Sequence, residues 1–290
     1  MNRKLEFIAA KKGHCALIEL HRAVGVSKST WHRHQRAAAK WSQEQEQDRR
    51  LRVLIRKIWD ESGQAYGAPR ITLELRDLGW VVNHKKVARI MREDGIFSCV
   101  PYRPPGTKPR PRAADVDDLV HRRFEAKAPN QVWVCDITQI RTGQGWLYLG
   151  CFVDLYSRKV VGYAMGNRCS AKLVVQVFRK AVQDRKPLAG LIVHVDRGPQ
   201  FVSRKFQAAV RDARCRLSMA RPGHGHAADN AVAESLWASL KKERLNRWRW
   251  ATRSTCARVI RSYMTWYNQS RRHSYLGGVS PASFELAIAA

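Results

Sequence analysis

The sequence predicts an α/β protein in which a mixed five-stranded sheet is flanked by helices and is preceded by small helical units. Three observations lead to this fold class. Segments with strand and helix periodicity alternate in the second half, short Gly-containing turns join the first strands, and the first hundred residues have helical patterns. With 290 residues the chain is long enough for about two domains, one with a sizeable core.

The charge of the chain indicates a polyanionic partner. Lys and Arg number 53 against 24 Asp and Glu, which gives a net charge of +29. Nucleic acid or an anionic membrane surface would relieve the self-repulsion of such a chain. No apolar run of about 18 residues is present, and the first residues lack the apolar segment of a signal peptide. Seven cysteines without a CxxC pair are typical of a reducing compartment. We therefore expect a DNA-binding protein of the bacterial cytoplasm, associated with the nucleoid.

Residues 1–42 predict an N-terminal helix-turn-helix. A helix over Ala16–Val24 is ended by Gly25, and Ser27 caps a second, basic helix. In a helix-turn-helix the second helix enters the major groove, whereas a plain helical hairpin is the alternative. The DNA contacts predicted on the second helix are Lys28, Arg33 and Arg36.

Residues 43–100 predict a second helical DNA-binding unit. One helix begins near Arg50, Pro69 stands at the start of another, and Asn83 can cap a third. The basic residues of these helices either face DNA or form a solvated helix face. The candidates for DNA contact are Arg70, Lys85, Lys86 and Arg89.

The rest of the chain divides into three segments. Residues 101–129 begin with PYRPPGTKPRPR, which predicts an extended basic linker because proline prevents a helix. Residues 130–250 predict the catalytic core. Residues 251–290 predict a C-terminal helix and a basic tail, in which Arg271 and Arg272 either hold DNA or are solvated.

The predicted core has three strands, a helix, a strand, a helix, a strand and a helix. Short connections predict that the first three strands are antiparallel, and the apolar fourth strand is predicted to be buried and parallel. The strands cover Val132–Arg141, Trp146–Tyr156, Lys159–Gly166, Leu191–Val195 and Arg216–Met219. The helices cover Ala171–Asp184, Phe206–Ala213 and Asp229–Leu245.

Three carboxylates occupy unusual places in this pattern. Asp136 lies inside an apolar strand, and Asp196 ends the apolar fourth strand at its carboxyl end. Glu234 lies in the first turns of a helix capped by Asp229 or Asn230. A sheet of this order brings the three acids together, and divalent cations remove their repulsion. Two Mg²⁺ (or Mn²⁺) ions about 3.5–4 Å apart would hold the attacking and leaving oxygens of a displacement at phosphorus.

Other polar residues have competing interpretations. Asp154, at a strand end, is the main rival metal ligand, although a turn-capping aspartate is favoured. His194 and Arg197 flank the second aspartate and are predicted to support it, and Arg197 is also a candidate DNA contact. His224 and His226 are only a pair in a loop, so a zinc site is disfavoured.

Several motifs together resemble the transposases of the IS-three family of bacterial insertion sequences, in particular their second-reading-frame product. The core motifs are WVCDITQIRT, WLYLGCFVDLYSRKVVGYAM, HVDRGPQF, SMARPGHGHAADNAVAESLWASLKKE and YNQSRRHSYLGGVSPASFE. GVSKSTWHRHQR and YGAPRITLELRDLGWVVNHKKVARIMREDGIF resemble the family's two helix-turn-helix units. The resemblance implies a ribonuclease-H-like core with a DDE triad of Asp136, Asp196 and Glu234. It also implies a DNA-contacting Lys241, which lies two helical turns after the glutamate on the same face.

The resemblance implies a DNA transposase that cleaves the element's ends and joins the freed 3′-hydroxyl to DNA. The implied partners are double-stranded DNA of the terminal repeats and target, further copies of the chain in a synaptic complex, and an upstream-frame protein. A cleavage-only nuclease of the same fold and a non-enzymatic DNA-binding regulator are the alternatives. The chain departs from the family pattern by having 37 residues between Asp196 and Glu234, two more than usual, and by Pro199 and Phe201 in place of serine and tyrosine.

Overall fold

The structure, a computed structural model, describes residues 2–99, 116–121, 123–219 and 230–289. The chain divides into two compact units, the first formed by residues 1–61 and 67–97 and the second by residues 62–66 and 98–290. In the described residues the first unit is helical and the second contains the sheet. This order, in which a helical unit precedes the unit with the sheet, is the one that the sequence predicts.

The first unit contains five helices among its described residues, and their ends follow local signals. Gly25 has a φ of 64° and ends a helix. The Ser27 hydroxyl accepts the Thr30 N–H at 3.2 Å, and the Asn83 side chain accepts the Lys85 N–H at 2.9 Å. These are the stop and the two caps that the sequence predicts. The helices are α1 (Asn2–Lys11), α2 (Leu17–Val24), α3 (Lys28–Glu61), α4 (Ala68–Asp77) and α5 (His84–Glu93).

Helix α3 corrects the predicted boundary between residues 42 and 43. It is one helix of 34 residues, so the basic helix after Ser27 and the helix near Arg50 are the same element. No Gly or Pro interrupts it, which is why nothing ends the helix at the predicted boundary. The two predicted DNA-binding domains therefore belong to one compact unit. None of the helices in the described residues is long and apolar enough to cross a membrane.

The second unit contains a mixed sheet in the order β3-β2-β1-β4-β5. β1 pairs antiparallel with β2 and parallel with β4, and the outer pairs continue these directions. The five predicted strands are confirmed with ends within two residues, as is the ribonuclease-H-like class of a five-stranded mixed sheet between helices. The strands are β1 (Val132–Thr142), β2 (Gly145–Asp154), β3 (Val160–Gly166), β4 (Ile192–Val195) and β5 (Arg216–Met219).

Helices cover both faces of the sheet because its side chains alternate between two apolar clusters. Trp133 and Cys135 of β1 pack towards α6 and α7, whereas Val134 packs towards α8 and α9. Asp136 has the same parity as Val134, so its side chain is on the α8 face. The helices are α6 (Ala171–Arg185), α7 (Arg204–Asp212), α8 (Ala231–Glu243), α9 (Arg253–Gln269) and α10 (Pro281–Ala289).

The C-terminal segment contains the predicted helix, α9, and both this helix and the residues after it pack on the core. Tyr263 of α9 is 1% exposed and lies in the cluster between the sheet and α8. Glu285 of α10 pairs with Arg185 of α6 at 2.8 Å and with Lys159 at 2.7 Å. These contacts fix the last described helix to the core, and the predicted division at residue 250 does not separate two compact units.

The end of the predicted linker also packs on the sheet. Ser218 of β5 accepts the Leu119 N–H at 2.9 Å, and the Asp117 carbonyl accepts the Met219 N–H at 3.1 Å. Val120 is buried. The linker therefore ends before residue 129, while residues 101–115 and 122 lie outside the described residues.

Candidate active site

Asp136 and Asp196 are brought side by side by the parallel pairing of β1 with β4. Cys135 stands opposite Val195 in this pairing; Asp136 is the next residue of β1, and Asp196 directly follows the end of β4. Continued alternation directs both carboxylates to the α8 face of the sheet. Burial, together with the neighbouring Asp196 carboxylate, raises the pKa of Asp136 to about 6. Burial also raises the pKa of Asp196.

The Asp136 carboxylate is oriented by two donors. Its Oδ1 accepts the Ile137 N–H at 2.7 Å, and its Oδ2 accepts the Trp237 indole N–H at 2.9 Å. Trp237 is 6% exposed and belongs to the cluster on the α8 face. Trp237 is therefore both a core residue and a hydrogen-bond donor to Asp136.

The Asp196 carboxylate lies at a tight turn. Its Oδ1 accepts the Gly198 N–H at 2.8 Å, and a Cβ added at Gly198 would lie 3.0 Å from the same oxygen. His194, the residue of β4 before Val195, is buried and shares a 2.9 Å hydrogen bond with the Ser218 hydroxyl. Arg197 donates to the Val116 carbonyl at 3.0 Å. Both residues that flank Asp196 therefore hold neighbouring segments in place.

Helix α8 is tied to β1 on both sides of Glu234. Before it, the Asn230 amide donates to the Cys135 carbonyl at 2.9 Å, and after it Trp237 donates to Asp136. Asn230 is the N-cap residue, as predicted, but its side chain bonds to β1 instead of capping the helix. Glu234 is four residues after Asn230 and three residues before Trp237, and residues at these spacings lie on the same face of a helix. Glu234 is therefore on the face of α8 that contacts the strand carrying Asp136.

Lys241 continues the same face one turn beyond Trp237. It is half-buried, and its spacing of seven residues from Glu234 is preserved within the unbroken helix α8. The predicted alignment of Lys241 with Glu234 is confirmed by this register. Lys242, the next residue, points to a different side of the helix.

The structure brings two of the three carboxylates into one group. Among the residues it describes, no cluster of three or more His, Cys, Asp or Glu side chains is close enough to hold a metal ion. Glu234 is exposed, although its charge adds to the effects of burial and Asp196 on the pKa of Asp136.

The chemistry of the site nevertheless fits a divalent cation. Two adjacent, largely buried carboxylates repel each other, and oxygen ligands of this kind are preferred by Mg²⁺. The Oδ1 atom of Asn230 is also buried without a hydrogen-bond partner. A buried oxygen of this kind is costly unless it has a polar partner.

Asp154 has its partners within the protein. Its oxygens accept the N–H groups of Asn130 at 2.7 Å and Tyr156 at 2.9 Å, and the Trp133 indole N–H at 3.3 Å. Arg185 lies 3.8 Å from the carboxylate. These contacts agree with the favoured interpretation of a structural, turn-capping aspartate and argue against a metal ligand.

The predicted DNA contact of Arg271 is opposed by its burial. Arg271 is 5% exposed and pairs with the buried Glu243 at 2.7 Å, while Ser239 accepts a further bond at 3.1 Å. The Arg272 guanidinium donates to the Gly278 carbonyl at 3.0 Å. Arg271 thus serves to hold the end of α8, which the run of basic residues in the sequence did not reveal.

The basic residues predicted to contact DNA in the first unit differ in their surroundings. Lys86 and Arg89 both pair with Asp48, at 2.8 and 2.6 Å, so part of their charge is already compensated. Arg70 is half-buried. Lys28, Arg33, Arg36 and Lys85 are exposed, and Arg89 is exposed as well despite its ion pair with Asp48.

Two residues that bond to β1 at this site, Trp237 and Asn230, are not among the predicted site residues. Their signal was their spacing from Glu234, which puts all three on one face of α8. His224, His226 and Asp229, which entered the sequence arguments, lie outside the described residues.

Comparison with known proteins assigns both parts of the chain. Two models of an integrase core domain match residues 126–225 and residues 213–281, and a model of an HTH-like domain matches residues 46–105. The first two matches include all three carboxylates discussed above.

Individual relatives extend over nearly the whole chain. The chain is 34% identical to the transposase InsF for insertion sequence IS3A of Escherichia coli K12, over 97% of this chain and 98% of the relative. It is 35% identical to a 31 kDa protein of insertion element IS600 of Shigella sonnei, over 90% and 95% of the two chains. The catalytic core domain of HTLV-2 integrase, solved in complex with magnesium, is 19% identical with a TM-score of 0.43, over 55% of this chain and 98% of that one.

Proposed function

The chain belongs to the IS-three (IS3) family of insertion-sequence transposases, and on that premise we propose that Asp136, Asp196 and Glu234 catalyse its cutting and joining of DNA strands. It is a DNA transposase, a polynucleotidyl transferase with an integrase core and an HTH-like domain. The observation that carries the assignment of residues is the parallel pairing of β1 with β4, which makes Asp136 and Asp196 neighbours.

The cofactor we propose is a pair of Mg²⁺ or Mn²⁺ ions. Asp136 would contact both ions, Asp196 one and Glu234 the other. When bound, such ions neutralise charge on the attacking and leaving oxygens of a phosphoryl transfer. The buried, mutually repelling aspartates support this assignment, and Glu234 would complete the ligand set from the facing helix.

The reaction consists of two displacements at phosphorus. In the first, water forms a P–O bond at the element's end and the bond to the 3′-oxygen breaks, which frees a 3′-hydroxyl. In the second, that hydroxyl attacks the phosphorus of another phosphodiester and forms a new P–O bond. The bond between this phosphorus and the 3′-oxygen of the attacked strand breaks, and that oxygen leaves. No protein nucleophile is needed, so the protein positions the strands and compensates charge. Lys241 would hold a phosphate oxygen beside the carboxylates.

DNA binding is assigned to basic residues of both units. In the first unit the exposed residues Lys28, Arg33, Arg36 and Lys85 are the primary candidates, while Arg70, Lys86 and Arg89 contribute less. In the second unit Arg197 and Arg272 are the candidates beside Lys241. Each phosphate contact that is removed should reduce the salt dependence of binding by about one unit of slope.

We also propose that the chain acts as a multimer. Two element ends must meet before they are joined, so further copies of the chain would hold them in a synaptic complex with target DNA. An upstream-frame protein would supply additional recognition of the terminal repeats. Neither partner is needed to explain the placement of the carboxylates.

The test is strand transfer by the purified chain on a labelled duplex that carries the end of its element, with Mg²⁺ and with an Asp196→Asn control. Joined product that disappears in the variant is the expected result. Cleavage without joining would identify a nuclease of the same fold. Binding without cleavage by the wild-type chain, also after addition of the upstream-frame protein, would favour a DNA-binding regulator.

A further inference from the structure

We propose that Trp237 is a positioning residue that orients the Asp136 carboxylate and, through α8, fixes the approach of Glu234. This inference rests on the proposed roles of Asp136 and Glu234. It concerns how the free protein prepares two of its three carboxylates before metal and DNA bind.

Trp237 contacts the Asp136 carboxylate directly. The Trp237 indole N–H donates to Asp136 Oδ2 at 2.9 Å, and the ring is 6% exposed within the cluster on the α8 face. A buried indole has few alternative rotamers, and a hydrogen bond to an ionised carboxylate is stronger than a neutral one. The ring therefore fixes the plane of the carboxylate.

The contact between Trp237 and Asp136 leaves acceptor sites on the carboxylate for ligands. An ionised carboxylate has about four lone-pair sites on its two oxygens. The Ile137 and Trp237 N–H groups occupy one site on each oxygen of Asp136. Both oxygens thus retain acceptor capacity in a defined orientation, so the indole is compatible with the proposed ligand role of Asp136.

The position of Trp237 on α8 links it to Glu234. Trp237 lies three residues after Glu234, and Asn230 lies four residues before Glu234. The hydrogen bonds of both residues to β1 are therefore on the face of α8 that carries Glu234. Rotation of α8 that moved Glu234 away from the strand would break the Trp237–Asp136 bond. One side chain therefore acts on two carboxylates that are distant in sequence.

The protein contains a matched control for this contact. Trp133 donates its indole N–H to the buried Asp154 at 3.3 Å, on the opposite face of the sheet. Trp133→Phe removes the same donor from the same type of acceptor but leaves Asp136 and α8 untouched. It separates positioning of the site from a general loosening of the core.

The experiment compares the full-length wild-type chain with Trp237→Phe, Trp237→His and Trp133→Phe. Mn²⁺ binding is measured by electron paramagnetic resonance without DNA, strand transfer is measured against Mg²⁺ concentration, and thermal unfolding reports folding. Because a group that orients a metal ligand contributes about tenfold to a hundredfold in metal affinity, Trp237→Phe should weaken Mn²⁺ binding about tenfold and shift the Mg²⁺ dependence equally. Trp237→His, which restores an N–H donor on a smaller ring, should recover part of the loss, and Trp133→Phe should bind Mn²⁺ like the wild type.

Three results would overturn the proposal. The first is unchanged Mn²⁺ binding by Trp237→Phe. The second is an equal loss of Mn²⁺ affinity in Trp237→Phe and Trp237→His, which would indicate an effect of packing alone. The third is a loss of Mn²⁺ affinity in Trp133→Phe as large as that in Trp237→Phe. Unchanged Mn²⁺ binding after Asp136→Asn has a different meaning, because it would remove the proposed metal site and this inference with it. Failure of the inference alone is therefore distinguishable from failure of the proposed function.

Discussion

Asp136 and Asp154 lie on adjacent strands of one sheet but on opposite faces, and their surroundings differ in one essential respect. Both are largely buried, both accept an indole N–H, and burial raises the pKa of each. Asp154 also accepts two backbone N–H groups and lies near Arg185. Asp136 has one backbone donor and faces Asp196.

The difference separates a structural carboxylate from the one that we propose to be catalytic. The charge of Asp154 is compensated by groups that belong to the fold, so its position needs no external ligand. The charge of Asp136 is opposed by a second carboxylate, so the folded chain by itself leaves it under-compensated. Burial alone would not distinguish the two residues, whereas their partners do.

The largest expected effect is on activity. Asp136→Asn should lower the rate of strand transfer on the order of a thousandfold, because it removes charge where the reacting oxygens must be held. DNA binding should be retained, and an electrophoretic mobility shift with the same duplex provides that control. Activity within a few-fold of the wild type would contradict the distinction between the two aspartates.

The next effect is on stability. Asp154→Asn should lower the free energy of unfolding by about 2–3 kcal/mol, because a carboxamide has one acceptor oxygen for the donors that now share two. Chemical denaturation followed by circular dichroism measures the change. The folded fraction should still transfer strands, since Asp154 is not part of the active site. A stable but inactive variant would instead make Asp154 functional.

For Asp136→Asn in the absence of metal we expect a smaller change in the free energy of unfolding, and this change is an increase rather than a loss. The folded-state pKa of Asp136, about 6, lies above its value of about 4 in an unfolded chain, so ionisation costs stability as the pH rises between the two. Above about pH 7 the variant should be more stable than the wild type by about 2 kcal/mol, and below about pH 4 the difference should vanish. Denaturation in chelator across this range tests the sign, and a variant that is less stable at pH 8 would refute it.

The smallest expected effect is that of Trp133→Phe on stability. The Trp133–Asp154 bond is long at 3.3 Å, and Asp154 keeps its two backbone donors. The loss should be about 1–2 kcal/mol, because one weak hydrogen bond is removed and the smaller ring leaves a cavity at a fully buried position. Thermal unfolding beside Asp154→Asn shows whether the carboxylate depends on the indole or on the backbone.

The sheet and its carboxylates could be predicted because their signals are local or follow from strand order. Alternating residues and short turns define β1 to β3, and the apolar run before Asp196 defines a buried parallel strand. Adjacent placement of Asp136 and Asp196 follows from that order. The length of α3 was also encoded, in the absence of Gly and Pro, although the sequence analysis placed a boundary between residues 42 and 43 within it.

Pairings between distant side chains could not be read in this way. Arg271 stands in a basic run, and nothing near it indicates that Glu243, twenty-eight residues earlier, is its buried partner. The hydrogen bond of Trp237 to Asp136 has no local signal in the sequence, because its indole N–H donates from a helix to a strand about a hundred residues earlier. Such contacts depend on tertiary packing, which overrides what composition suggests about exposure.

The parallel pairing of β1 with β4 also has a consequence for the time course of folding. The antiparallel hairpins of β1 to β3 can form from neighbouring segments, but Val132 and Ile192, which meet in the parallel pair, are sixty residues apart in the chain. Non-local pairings of this kind require closure of a long loop and form slowly. We therefore expect the newly made chain to pass through a stage in which the hairpins exist and the two aspartates are still apart. Competence for catalysis would then arise only in the final stage of folding.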